Sequence, residues 1–361
     1  MFLTQFVAES FRNLENLNIE FKPGLNLIWG DNAQGKTNLI EAIYFLGNLK
    51  GFRALKNSDM IQWGKSSASV GGVSISPLAS QKIQIKIEPS KKTAHLNGKT
   101  AANAREFFSA FPVILLCPEE LALVDKGPSG RRALLDRAVF LMENDYLDKF
   151  RRFYFVLKTR NLLLRQNKNQ KELDVWTESF IETAVSIIHS RNLFLKNVIR
   201  DWNDINGYLT GNHDSIEIDH QEVDKNEIEI VLRNKIKKSY NREREVGYTI
   251  VGPHTEGPVF LLNGKQLRNF ASQGQKKSFL LSFKITQILN YQKKNKKTPI
   301  LLLDDFGSDL DIKRQKNFFE MVYGKVKQIF FTTNDEKILK NCGISSDNEI
   351  YIKQGKLINK I

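Results

Sequence analysis

The sequence predicts an α/β protein with a mainly helical insertion in its middle. Three observations predict it. An apolar strand runs into a glycine-rich turn and then a helix over residues 25–46. Alternating segments such as "KIQIKI" mark the stretch up to about residue 115 as strand-rich. From "PEELALVDKG" onward apolar residues recur at helical spacing, until strand character returns at "GYTIVG".

The elements follow in order. "LTQFVAESFRNLENLNIEF" reads as a hairpin-like pair leading to a buried strand at Leu25, Leu27, Ile28 and Trp29. The next residues, Gly30 to Thr37, read G-x-x-x-x-G-K-T, and Leu39, Ile40, Ile43, Tyr44 and Leu46 then recur as a helix requires. Gly30 and Gly35 permit the backbone to turn tightly, so that N–H groups across Asp31, Asn32, Ala33 and Gln34 can point at phosphate oxygens. The helix dipole behind them adds positive potential, felt first at Asn38. Lys36 would reach the terminal phosphates, and the Thr37 hydroxyl would ligate Mg²⁺.

"SASVGGVSI", "QKIQIKIE" and "TAHLNGKT" read as further strands. "GRRALLDRAVFLMENDYLDKFRRFYFVLKTRNLLLRQ" and "ELDVWTESFIETAVSIIHSRNLFLKNVI" read as long helices parted by a polar region near "NQK", and "NGYLTGNHDSIEIDHQEVDKN" as irregular. After the expected strands "GYTIVG" and "PVFLLNGKQL", a helix begins in the turn "SQGQ", and the strands "PILLLDD" and "KQIFFTT" follow. Asp304 and Asp305 end the first of these, where Asp304 can hold Mg²⁺ and Asp305 can polarise a water. They form, with Lys36, the expected catalytic set.

Composition narrows the partners. With 361 residues, 41% hydrophobic and 26% charged, the chain can bury a sizeable core, and two lobes are expected. A formal charge of +14 favours a polyanionic partner, nucleic acid above a membrane surface. No apolar run is long enough to cross a bilayer, and "MFLTQFVAESFRN" lacks a basic region and a cleavage site, so no export and no stable membrane association are expected. Cys117 and Cys342 have no pairing pattern, which fits a cytoplasmic location. The five histidines form no ligand cluster, so a protein metal cage is not expected.

Ser272, Gln273, Gly274 and Gln275 open a helix 32 positions before Asp304, and "SDLD", Ser308 to Asp311, follows the carboxylates. With the P-loop, this order resembles ATPases of the ABC superfamily, with its signature motif and D-loop. The resemblance implies half a site per chain: Ser272 and Gly274 would cap the γ-phosphate held by a second copy, making an ATP-dependent homodimer. Thr37 and Ser272 are 235 positions apart, too few for the long coiled coils of chromosome-maintenance ATPases. An armless head with a compact helical lobe remains.

The chain also resembles the RecF family of bacterial recombination mediators along nearly its whole length. "GDNAQGKTNLIEAI", "CPEELALVDKGPSGRRALLD", "KTRNLLLR", "LDVWTESF", "GPH", "FASQGQKKS" and "LLLDDFGSDLD" carry the likeness. It implies an ABC-type head, a RecA-like core with an antiparallel β-subdomain, spanning residues 1–115 and 286–361. A helical second lobe over 116–285 would carry the signature motif. It further implies a weak, DNA-stimulated ATPase, nucleotide contacts from Arg53 and Asp311, binding of duplex DNA at single-strand gaps, a RecR-type partner and help in loading recombinase.

Three positions depart from the family pattern: Thr255, Glu256 and Gly257 after "GPH", "GF" before Arg53, and "FFTTND" where a switch histidine is common. Thr332, Thr333 or Asn334 would then sense the γ-phosphate, and turnover should be slow. Basic residues cluster at Arg131, Arg132 and Arg137, at Lys149, Arg151 and Arg152, at Lys158, Arg160 and Arg165, at "KIKK", and at Lys293, Lys294, Lys296 and Lys297. Together they predict phosphate contacts without base reading. The competing reading is an ATP-binding subunit of a transporter, which leaves "PEELALVDKG" unexplained.

Overall fold

The computed structural model describes residues 1–76, 79–101, 104–166, 170–211, 214–219, 223–305, 310–335 and 337–358. Along the chain run β1 (Phe2–Phe11), β2 (Leu14–Glu20), β3 (Gly24–Trp29), α1 (Lys36–Asn48), β4 (Ala68–Ile75), β5 (Ser80–Ile87), β6 (Lys92–Leu96), β7 (Lys99–Thr100), α2 (Ala104–Ala110) and β8 (Val113–Leu116). Next come α3 (Pro118–Asp125), α4 (Pro128–Met142), α5 (Tyr146–Arg165), α6 (Gln170–Thr210), β9 (Ile216–Asp219), α7 (Lys225–Val246), β10 (Val259–Leu262), β11 (Lys265–Gln266) and α8 (Leu267–Phe270). The last part holds α9 (Gln273–Asn295), β12 (Ile300–Leu303), α10 (Ile312–Val322), β13 (Gln328–Thr333), α11 (Ile338–Asn341), β14 (Asn348–Lys353) and β15 (Lys356–Ile358).

Contacts divide the chain into two units, Met1–Leu121 with Tyr208–Asn212 and Gln273–Ile361, and Ala122–Gly207 with His213–Ser272. The first unit holds two six-stranded sheets. One is antiparallel, ordered β2-β1-β4-β5-β6-β7. In it Ile83, Ile85 and Ile87 are buried while Gln84 and Lys86 are exposed, as a sheet with one solvated face demands. The other is ordered β15-β14-β3-β13-β12-β8, parallel except where β15 folds back on β14. Its strands β12 and β13 are buried at every position, the signature of a parallel sheet covered on both faces.

Leu39, Ile40, Ile43, Phe45 and Leu46 of α1 join Phe6, Phe11, Ile85 and Phe330 in one apolar core. A polar stitch crosses it. The fully buried Gln328 accepts the Leu3 N–H at 2.7 Å and donates to the Leu3 and Lys22 carbonyls at 2.8 and 3.0 Å, so β13 is tied to the first strand of the antiparallel sheet.

The unit boundaries differ from those expected at 115 and 285. The helix that opens with the signature residues belongs from Gln273 onward to the first unit, because Phe279, Leu281, Phe283, Ile285 and Ile288 are all buried along it. Its Lys284 ammonium meets the Glu120 carboxylate at 2.6 Å with both side chains buried, which also draws residues 116–121 into that unit.

The strand expected at "GYTIVG" does not form. Side chains satisfy that backbone instead: Asn161 Oδ1 accepts the Thr249 N–H, Glu243 Oε1 accepts the Ile250 N–H, and His254 Nε2 bonds the Thr249 carbonyl. Conversely, β9 lies within the stretch expected to be irregular, and it pairs antiparallel with β10.

In the second unit Arg160 is fully buried. Its guanidinium donates to Glu243 Oε2 at 2.7 Å, to the Thr249 hydroxyl at 2.6 Å and to the Thr177 hydroxyl at 3.1 Å. This arginine therefore holds α5, α6 and α7 together and leaves the set of basic residues available to an outside anion. Glu243→Ala would strand a buried guanidinium, with an expected loss of about 3–5 kcal/mol of stability in urea unfolding.

Candidate nucleotide site

The carboxyl ends of β3, β12 and β13 form one edge of the parallel sheet, since Trp29 pairs with Thr333 and Leu303 with Phe331. Gly30, Asp304 and Asn334 follow at that edge, the place where open α/β sheets bind ligands. Gly30 has φ +147°, and a Cβ there would lie 2.4 Å from the Ile352 carbonyl oxygen. Gly35 has φ +114°, and a Cβ there would lie 3.0 Å from the Asn13 side chain. Neither position admits another residue without moving backbone or its neighbour.

Lys36 curls back over the loop and donates to the Gly30 and Asp31 carbonyls at 2.6 and 2.7 Å. Burial lowers its pKa, while Asp304, Asp305 and Asp31 act in the opposite direction. The Lys36 side chain is thus cradled by two backbone carbonyl oxygens.

Asp304 is 4% exposed. Its Oδ1 accepts from Thr37 Oγ1 at 3.1 Å and from Thr332 Oγ1 at 2.7 Å, and Thr332 Oγ1 in turn accepts the Asp305 N–H at 3.0 Å. Burial raises the Asp304 pKa from 3.8 to about 6 against these two hydroxyl bonds, with the charges of Glu119 and Asp305 adding to the rise. A buried carboxylate steadied by hydroxyls, and pushed toward its neutral form by other carboxylates, is a fitting seat for a divalent cation. Asp305 is exposed and adopts φ +52°.

Arg53 is placed by α1 and by the residues after β8. Its N–H donates to Glu41 Oε1 at 2.9 Å, Arg12 pairs with the other oxygen of that buried carboxylate, and the Arg53 guanidinium meets Glu119 at 3.2 Å. Ser272 and Gln273 are exposed at the start of α9. The Gly274 carbonyl accepts from Ser278 Oγ, which itself accepts from Arg314 at 3.3 Å, and Arg314 pairs with Asp311 at 3.2 Å. Asp311 caps α10 by accepting the Arg314 N–H at 2.8 Å. One chain of contacts therefore runs from the signature helix to the end of the D-loop; Phe306, Ser308 and Asp309 lie outside the described residues.

Several contributors escaped the sequence reading. Asn13 Oδ1 accepts from Asn38 Nδ2 at 2.7 Å, and the Gln354 and Gly355 N–H groups donate to Gln34 Oε1 and the Gln34 carbonyl, each at 2.7 Å. Gln354 and Gly355 have φ +50° and +73°, as the two central residues of a type I′ hairpin do. Two turns at opposite ends of the chain thus grip the loop, and only the "QGK" turn chemistry hinted at one of them. Thr332 bonds the Asp304 carboxylate and the Asp305 N–H, Thr333 bonds Asp335, and Asn334 is exposed.

Residues 2–358 match the RecF/RecN/SMC N-terminal domain model. The DNA replication and repair protein RecF of Syntrophotalea carbinolica is 35% identical over 359 residues, covering 99% of both chains. The protein of that name from Geobacter sp. strain M21 is 34% identical over 370 residues, covering 99% of this chain and all of the relative. Among solved structures, the recombination mediator protein RecF with ATP superposes with a TM-score of 0.88 at 29% identity, covering 99% of this chain and 98% of the other. An Smc head domain from Pyrococcus furiosus shares the fold, with a TM-score of 0.57 at 17% identity, covering 99% of this chain and 96% of the other.

The Asp304 proton gives a test. The folded chain binds it more tightly than the unfolded one, so its stabilising contribution is complete below pH 3.8 and lost as pH rises through about 6. Asp304→Asn keeps an acceptor for both hydroxyls and removes the buried charge. At pH 7.5 it should raise unfolding free energy by about 2–3 kcal/mol, and the gain should vanish near pH 4 in denaturant titrations.

Proposed function

The chain belongs to the RecF family, and from that membership we propose that it is an ATP-dependent dimerising switch on DNA. As a RecF protein it is a recombination mediator with an ABC-type ATPase head. The observation that carries the switch reading is the exposed signature turn at Ser272 and Gln273, opening a helix whose Gly274 is linked through Ser278 and Arg314 to Asp311.

In this reading the N–H groups of residues 30–37 and the Lys36 ammonium bind the phosphates, while Asp31, Asn32, Ala33, Gln34 and Asn38 shape the cradle. Thr37 and Asp304 hold Mg²⁺, which when bound neutralises phosphate charge and acts as a Lewis acid. Asp305 orients the attacking water, and Arg53 leaves Glu119 for a phosphate oxygen. Ser272, Gln273, Gly274 and Gln275 approach the nucleotide of a second copy, so each chain supplies part of two sites. The aspartate at 305 and the absence of a histidine in "FFTTND" make turnover slow, as suits a switch.

Exposed basic residues such as Lys158 in the second unit and Lys293 and Lys296 in the first would contact duplex DNA, while Arg151 and Arg152 are partly neutralised by Asp148 and Glu182. Lys149 and Lys235 are partly neutralised by Glu143 and Glu256, and Arg131 and Arg132 are bonded to the Pro258 and Thr255 carbonyls, so these four contribute less. We place the protein in the cytoplasm at the edge of single-strand gaps, with a RecR-type partner in recombinase loading. The transporter reading is disfavoured, because the RecF relatives match along the whole chain.

Lys36→Met should abolish ATP binding. Ser272→Arg should bind ATP normally yet stay monomeric in sedimentation with ATP, and a dimer there would refute the shared site. Duplex affinity should drop roughly 10³-fold or more between 50 and 200 mM salt if the basic surface carries it; a flat salt response would remove DNA from the account.

A further inference from the structure

Trp63 is 99% exposed, whereas Trp202 is fully buried and Trp29 packs at a tilt against Tyr351 with centroids 4.4 Å apart. Trp63 sits at the tip of a turn closed by the Lys65 N–H donating to the Gln62 carbonyl at 3.0 Å. Gly64 follows with φ +79° and open space beyond its Cα. The base of the turn is pinned. Met60 and Ile61 are buried, the Arg12 N–H donates to the Met60 carbonyl at 2.9 Å, the Gln62 N–H donates to the Ser10 carbonyl at 2.8 Å, and Ile61 bridges Phe11. An indole held out by an anchored turn presents both ring faces to a partner.

Charge selects the partner. Between residues 50 and 65 lie Lys50, Lys56 and Lys65, together with Arg53, which pairs with Glu119, and Asp59 is the sole acid. The Asp59 carboxylate is occupied by the Leu55 and Lys56 N–H groups. A flat, stackable ring between phosphates meets both features, because base–aromatic stacking tolerates any sequence and lysines track the backbone.

We infer that the Trp63 turn is a stacking platform for an unpaired base of single-stranded DNA, with Lys56 and Lys65 on the flanking phosphates. This rests on the DNA-binding reading above and adds to it a means of telling a gap from plain duplex.

The test compares full-length wild type, Trp63→Ala, Trp63→Phe and Lys65→Gln on a gapped duplex and on a blunt duplex. Trp63→Ala should weaken gapped-DNA binding roughly ten-fold with an unchanged salt slope, and blunt-duplex binding less than about two-fold. Trp63→Phe should recover most of the loss. Lys65→Gln should reduce the slope of log affinity against log salt by about one. Indole emission should be quenched by an oligothymidylate in wild type and not in Trp63→Phe. Thermal unfolding of the exposed-site variants should match wild type.

Unchanged gapped-DNA affinity in Trp63→Ala overturns the inference while leaving DNA binding intact. So does equal weakening on both substrates, and so does loss of ATP-dependent self-association without DNA, which would make the turn a protein interface. Failure of the wild type to bind either substrate instead overturns the DNA-binding reading, and this inference with it.

Discussion

One carboxylate oxygen organises the candidate site. Asp304 Oδ1 is shared by Thr37 at the start of α1 and Thr332 near the end of β13, so three elements distant in sequence converge on a single buried acceptor. Thr332 also fixes the backbone of Asp305. The threonine beside the P-loop lysine, the Walker-type aspartate and the acid that follows it are therefore placed relative to one another by hydroxyl bonds inside the core. The energetic cost is visible in the raised pKa of Asp304, and a divalent cation would relieve it.

Around that centre the chain is pinned from far ends. The turn at Asn13 and the hairpin turn at Gln354 and Gly355 hold the P-loop, Glu41 holds the segment carrying Arg53, and Arg314 joins the signature helix to Asp311. Apart from the amide–amide bond of Asn13 to Asn38, each tie involves a backbone group or a charged side chain. A ligand that draws Lys36 or Arg53 away from present partners would act on elements already tied to one another, the coupling a nucleotide switch requires.

The basic residues divide by burial. Net charge draws the chain toward polyanions, yet Arg160 is spent wholly on the interior of the second unit, while Trp63 and its lysines stand at the surface of the first. Charge counted along a sequence thus overstates the binding surface wherever an arginine can reach a buried glutamate, and overlooks a neutral ring that is wholly exposed.

Much was legible because it depends on local order. The glycine spacing of 30–35, the apolar run ending in Asp304 and Asp305, the alternation of residues 83–87 and the "SQGQ" helix start follow from turn geometry and side-chain periodicity, which neighbours in sequence decide. What lay beyond it depends on distant pairing. Thr249 and Ile250 have strand composition but find side-chain acceptors instead of a neighbouring strand, and α9 joins the first unit because Phe279, Leu281, Phe283, Ile285 and Ile288 are buried along it. The sequence by itself determined where the glycine turn, the paired aspartates and the helix starts that follow them lie. Only the tertiary structure decided that Asn13, Gln354, Gly355 and Thr332 brace them, because those contacts join positions 25 to 320 residues apart that no local pattern relates.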